Sequence, residues 1–296
     1  MRKQFVKTVE DIMTKDKKLI ILLGDIGVFG FRNVFKNHPD RIYNIGILEQ
    51  ATIGMAAGLS KTGFIPLVHT ITPFIVERAL EQIKIDFAFQ KLGGNFVSVG
   101  ASYDYAILGA THHCPADVGI LKNVPDMEIV VPGTPGEFDV LFRQSYADGN
   151  PTYYRLSERP NKESQKVEFG KANVIKKGKK ATVIAVGPML RVVLEATEKE
   201  DVTVLYYTTL FPFDSKILKN NLVGNKVLIC EPYYEGALAL DVTKALEGRK
   251  LEIAHAGMPK RFLSAYGKAE DHDRDLGMTK EAINKKLKKL IYGKNK

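Results

Sequence analysis

One carboxylate stands out in the stretch "NIGILEQATIGMAAGLS", residues 44–60. Glu49 sits where an apolar, strand-like run from Ile42 to Leu48 meets a run of small and apolar residues at helical spacing. The helix dipole favours an acid at such a start. The helix that follows has few polar residues on any face, so Glu49 is expected to be buried. A buried acid without a partner is costly, so it must be protonated or bonded to a group that shares a proton. Two adjacent histidines, His112 and His113, lie in the Gly/Ala/Pro loop "GATHHCPAD", residues 109–117. No third ligand stands at a metal-binding spacing, so substrate hydrogen bonding or proton transfer suits them better than a metal. Phe74 could stack on a flat heterocycle or be an ordinary core ring. Arg155, in "PTYYRLS", could be a phosphate fork or a surface arginine. "LLGDIG" (22–27) is not GxGxxG, and no Walker lysine follows it.

The elements that position these residues alternate. Strands are expected over 17–26, 40–48, 64–71, 95–101, 127–133 and 151–157. Helices are expected over 49–61 and 74–90, and a third after Thr134, the predicted N-cap, with Glu137 three residues on. After a polar, basic linker over 158–170 the alternation resumes, with one strand expected over 202–209, to the tail helix, 279–296. This pattern predicts an α/β fold: a parallel sheet covered by helices, then a second, smaller α/β domain. The expected domains are 1–160 and 171–296. In such sheets ligands bind at the C-terminal ends of the strands, where Glu49 and "GATHH" fall.

The chain has 296 residues and a net charge of +9. Residues 279–296 hold seven lysines against Glu281, which accounts for six of the nine excess charges. The charge is a tail feature without basic–aromatic interleaving, so no nucleic-acid partner is expected. A basic surface that attracts phosphorylated substrates is the sharper alternative to a solvated helix face. No apolar run is long enough to span a bilayer, and the charged N-terminus is not read as a leader. Cys114 and Cys230 are far apart. A reduced, cytoplasmic chain without a membrane partner is the simplest reading.

Taken together, "LLGDIG", "DRIYNIGILEQATIGMAAGLSKTGFIPLVHT", "GATHH", "MEIVVPGTP" and "PTYYRLS" resemble the C-terminal half of transketolase. That half is a pyrimidine-binding domain followed by the transketolase C-terminal domain. The resemblance implies a thiamine-diphosphate-dependent enzyme. The family glutamate matching Glu49 holds a proton against the aminopyrimidine ring nitrogen, which promotes formation of the thiazolium ylide. By position, Asp25 matches a family acid near the cofactor and Phe74 one ring of an aromatic wall. The other two wall positions fall on Ile71 and Glu77. His112 matches a substrate-pocket histidine, with His113 beside it. Leu108 falls where many transketolases have a sugar-contacting aspartate, and Arg155 roughly matches a phosphate-contacting arginine.

The family binds diphosphate and Mg²⁺ through a GDG sequence in an N-terminal domain, and this chain contains no GDG. The resemblance therefore implies a split transketolase. A partner subunit would supply the diphosphate and Mg²⁺ site, and this chain would have no metal ligands. A homodimer core within a heterotetramer would act on small sugars. The implied reaction moves a two-carbon ketol unit from a phosphorylated or otherwise activated ketose to an aldehyde. Other readings are a 2-oxoacid dehydrogenase β subunit, a deoxyxylulose-phosphate-synthase-like enzyme, and a non-catalytic regulatory subunit.

Overall fold

A computed structural model describes residues 1–293. The last three residues of the expected tail helix lie outside that range. In the first half, α1 (Arg2–Lys15), β1 (Leu19–Leu23), α2 (Arg32–Asn37), β2 (Ile42–Asn44), α3 (Glu49–Lys61) and β3 (Ile65–Ile71) follow in order. After a helical segment over 74–88, containing the single turn α4 (Leu80–Gln82), come β4 (Gly94–Val99), α5 (Asp117–Leu121), β5 (Glu128–Val130), α6 (Pro135–Ser145) and β6 (Pro151–Arg155). The second half holds β7 (Asn173–Lys176), β8 (Thr182–Val186), α7 (Leu190–Ala196), β9 (Thr203–Tyr207), β10 (Thr209–Phe211), α8 (Ser215–Asn221) and β11 (Lys226–Tyr234). It ends with α9 (Ala239–Ala245), β12 (Glu252–Met258), α10 (Ala269–Leu276) and α11 (Lys280–Tyr292).

The first sheet has the order β10-β5-β6-β4-β3-β1-β2, and β1 to β6 are parallel. Its central strands are continuous apolar runs because both faces are covered. In β1, Leu19, Ile21 and Leu23 face one core with Phe5, Val9 and Phe138 from α1 and α6. Ile20 and Leu22 face the other core, with Ile53, Ala56 and Ile75. The order 2-1-3-4 reverses direction between β1 and β3. That places the ligand crevice of a doubly wound sheet above the C-terminal ends of those two strands.

Two expectations about local structure are corrected. Residues 74–90 do not form one α-helix. They wind as a π-helical turn (Phe74–Arg78), the single turn α4, and a second π-helical stretch (Ile83–Ala88). The buried residues Ile75, Ala79, Ile83 and Phe87 recur every fourth position. A period of four overruns an α-helical turn by about 40° per step, and the wider π turns absorb that drift. The run 202–209 is likewise not one strand. β9 ends at Tyr207, and the chain crosses to add β10 antiparallel to β5, which covers the free edge of the first sheet.

The second sheet has the order β12-β11-β8-β9-β7, with only β7 antiparallel. Thr134 caps α6 by accepting from the Glu137 N–H at 3.2 Å. The Glu137 carboxylate reaches back to the Gly133 N–H at 2.8 Å and accepts from the Tyr206 hydroxyl at 2.7 Å. One residue thus closes a helix start and ties it to β9. No described helix is long and apolar enough to cross a membrane.

Candidate functional site

Glu49 is the first residue of α3 and is 2% exposed. The expected burial follows from its helix: Thr52, Ile53, Ala56 and Ala57 pack inward behind it. The partner the acid requires is supplied by the chain itself. Arg78 donates from Nη1 to Glu49 Oε2 at 2.7 Å. The second oxygen, Oε1, is buried and has no hydrogen-bond partner.

Nothing in the sequence singles out Arg78. Its place depends on the π turn over Phe74–Arg78, which no composition signal announces. The guanidinium also lies 4.2 Å over the Phe74 ring. The His112 ring meets Phe74 edge-on, with centroids 5.4 Å apart. Glu49, Arg78, Phe74 and His112 therefore form one continuous chain of contacts. It draws on α3, the segment after β3 and the loop after β4, all at the C-terminal end of the sheet.

The two histidines separate. His112 faces Phe74, and its Nδ1 lies 3.0 Å from the Thr111 hydroxyl. His113 turns toward the second domain, its ring 5.8 Å from His272. Both nitrogens of His113 are buried without partners, and burial lowers its pKa below the ordinary histidine value. The neutral ring is the favoured form there. The structure thus brings His112 to Phe74 and places His113 against α10.

Asp25 follows β1 at the same end of the sheet, with a left-handed backbone (φ 64°). Its N–H donates to the Asn44 side chain at 3.0 Å, and the Asn44 amide returns a bond to its carboxylate at 3.3 Å. Ile71 ends β3 and is half-buried. Glu77, at the third wall position, accepts from the Cys114 thiol at 3.4 Å, and burial raises its pKa. Leu108 is exposed on a short 3₁₀ turn, next to exposed Ile107.

Arg155 is neither a surface arginine nor a free phosphate fork. It is 1% exposed, and its Nε donates to Asp117 Oδ2 at 2.6 Å, with Asp117 fully buried. Nη2 donates to the Ser102 hydroxyl at 2.6 Å. A buried guanidinium must be paired inside the protein, and here Asp117 and Ser102 supply that pairing.

The residues fit the pyrimidine half of thiamine diphosphate on two counts. A buried carboxylate oxygen lacks a partner, and the guanidinium paired with that carboxylate stacks on an aromatic ring. Among the described residues no group of three or more His, Cys, Asp or Glu could hold a metal ion. Two exposed apolar side chains, Ile47 and Leu48, immediately precede Glu49, and Phe29, Met55, Ile85 and Phe89 are exposed elsewhere in the first half of the chain.

A doubly wound sheet with an acid at its switch point, followed by a smaller α/β unit, is the architecture of the C-terminal half of a transketolase. Residues 1–162 match the transketolase pyrimidine binding domain, and residues 170–283 match the transketolase C-terminal domain. The chain belongs to the transketolase family. It is 34% identical to an uncharacterized 33.6 kDa protein of the fasciation locus of Rhodococcoides fascians, over 97% of this chain and 93% of that one. It is 28% identical to one of the apulose-4-phosphate transketolase subunits of Phocaeicola vulgatus, over 96% and 95% of the two chains. Among solved structures it is similar to a split gene transketolase described as an inactive β4 tetramer. That likeness has a TM-score of 0.86 and 25% identity, over 99% of this chain and 98% of that one. Its similarity is thus to separate transketolase subunits along nearly their whole length.

Proposed function

We propose that this chain is the pyrimidine-binding subunit of a two-subunit, thiamine-diphosphate-dependent transketolase. It would move a two-carbon ketol unit from a ketose, phosphorylated or otherwise activated, to an aldehyde. The observation that carries this reading is the buried Glu49 carboxyl with an unpartnered Oε1, linked through Arg78 to the Phe74 ring. A lone buried acceptor costs about 1–3 kcal/mol, so the site suits a ligand that brings a donor to it.

When bound, the cofactor supplies a nucleophilic carbon and an electron sink. Glu49 holds a proton at the pyrimidine nitrogen. Phe74 offers the ring an aromatic face, and Ile71 and Asp25 line the same end of the sheet. His112, at the mouth, hydrogen-bonds substrate oxygens and moves protons there. Leu108 presents an apolar group, which disfavours a sugar hydroxyl at that spot by leaving it unpaired.

A partner subunit carrying a GDG sequence would hold the diphosphate and Mg²⁺, and two copies of each chain would assemble. The exposed Ile47 and Leu48 beside Glu49 support such a partner. The solved relative's description as an inactive β4 tetramer supports dependence on that partner. Two free, buried cysteines suit a reducing cytoplasm.

Reconstitution tests the proposal. This chain and a GDG-containing subunit are purified separately, mixed with thiamine diphosphate and Mg²⁺, and assayed with xylulose 5-phosphate plus an aldose acceptor and with pyruvate plus an artificial electron acceptor. Ketol transfer from the sugar phosphate only when both chains are present is the expected result. Turnover by this chain alone contradicts the split site, and oxidative decarboxylation of pyruvate by the mixture points to a 2-oxoacid dehydrogenase.

A further inference from the structure

Arg78 makes two contacts at once. Its guanidinium donates to the Glu49 carboxylate at 2.7 Å and lies 4.2 Å over the Phe74 ring. These are the two contacts that the proposed function assigns to the aminopyrimidine ring of the cofactor. A guanidinium is flat, donates hydrogen bonds and stacks on aromatic faces, as a protonated aminopyrimidine does.

We propose that Arg78 is a displaceable stand-in for that ring, which closes the Glu49–Phe74 site until the cofactor enters. The inference rests on the thiamine diphosphate reading. Three observations make the side chain displaceable. Arg78 is 38% exposed while Glu49 is 2% exposed, so Arg78 lies on the solvent side of the acid. Its guanidinium makes no other hydrogen bond among the described residues. It also ends the π turn Phe74–Arg78, so its backbone belongs to a wide, locally irregular turn rather than a regular helix.

The arrangement explains how the protein keeps a buried acid before it meets a cofactor. Without Arg78, the free chain would hold a desolvated carboxylate with no partner. With it, the acid is paired, and the cofactor must win the carboxylate from Arg78. Apparent affinity is then reduced by the fraction of chains in which Arg78 has swung aside.

The test is calorimetric titration of the isolated full chain with thiamine, which carries the pyrimidine and lacks the diphosphate. Wild type is compared with R78M, R78K and E49Q. R78M is expected to bind thiamine about tenfold more tightly, as a site closed roughly nine-tenths of the time requires. If R78M does not fold, R78K serves, since it keeps the charge and loses the flat face; a gain of about threefold is expected there. Unchanged or weaker binding in the Arg78 variants, with binding lost in E49Q, overturns the stand-in role and leaves the cofactor reading intact. Equal binding in every variant overturns both. Binding in none of them overturns the stand-in role, because R78M should then have opened the site, and leaves the cofactor reading to the reconstituted complex.

Discussion

Arg155 and Asp117 form an ion pair at 2.6 Å with both side chains withdrawn from water. The Tyr153 hydroxyl adds a second donor to the same Asp117 oxygen at 2.9 Å. Ser102, bonded to Arg155, donates onward to the Pro232 carbonyl of the second domain. The pair therefore sits at the junction of β6, α5 and β11.

Removing one member of such a pair strands the other charge in a medium that solvates it poorly. Asp117→Asn keeps the shape and deletes the charge, and is expected to lower stability by about 3–5 kcal/mol. Urea unfolding followed by circular dichroism measures the loss. A loss below about 1 kcal/mol would show that Arg155 finds other compensation.

His69 gives the fold an acid-sensitive element. It is buried in β3, its Nδ1 lies 2.8 Å from the Val97 carbonyl, and the Phe5 ring is 4.8 Å away. Burial pushes its pKa down to about 4. The unfolded chain takes up this proton near pH 6.5, whereas the folded chain refuses it until about pH 4. The associated stability is complete above pH 6.5 and is lost as pH falls toward 4. Between pH 7 and pH 5 the loss is about 2 kcal/mol. His69→Gln should lose correspondingly less over that range, read from urea midpoints at the two pH values. Parallel curves for the two proteins would remove His69 from the account.

Phe74 is the proposed ring face for the cofactor. In the reconstituted complex, Phe74→Ala is expected to weaken thiamine diphosphate binding about tenfold, the scale of one aromatic stack with its buried area. At saturating cofactor most of kcat should return. A fall in kcat that saturation cannot rescue would mean that Phe74 acts on the reacting atoms instead.

The sheet and the place of the acid are legible in the sequence because both follow from local pattern. Continuous apolar runs mark strands covered on both faces, and the non-polar α3 predicts that Glu49 is buried. α1 carries an equally clear signal, Phe5, Val9, Ile12 and Met13 at helical spacing, yet it lies ahead of the strand–helix alternation that begins at residue 17. Other features depend on where distant segments meet. Asp117 and Arg155 are 38 residues apart, and neither flanking sequence marks the other as its partner. Arg78 reaches Glu49 only because the chain widens into a π turn, and strict four-residue spacing is a weak cue for that. His112 and His113 look equivalent in sequence and diverge because one loop residue faces the sheet's crevice and the next faces α10.

The central claim is that the buried carboxyl of Glu49 serves a nitrogen of the thiamine pyrimidine. The most direct measurement is ketol transfer by the complex reconstituted with Glu49→Gln, after its assembly is verified by size-exclusion chromatography. The account predicts a normally assembled complex whose turnover falls by at least about a hundredfold, the scale of a lost proton-transfer group. Turnover within about twofold of the wild-type complex would contradict it.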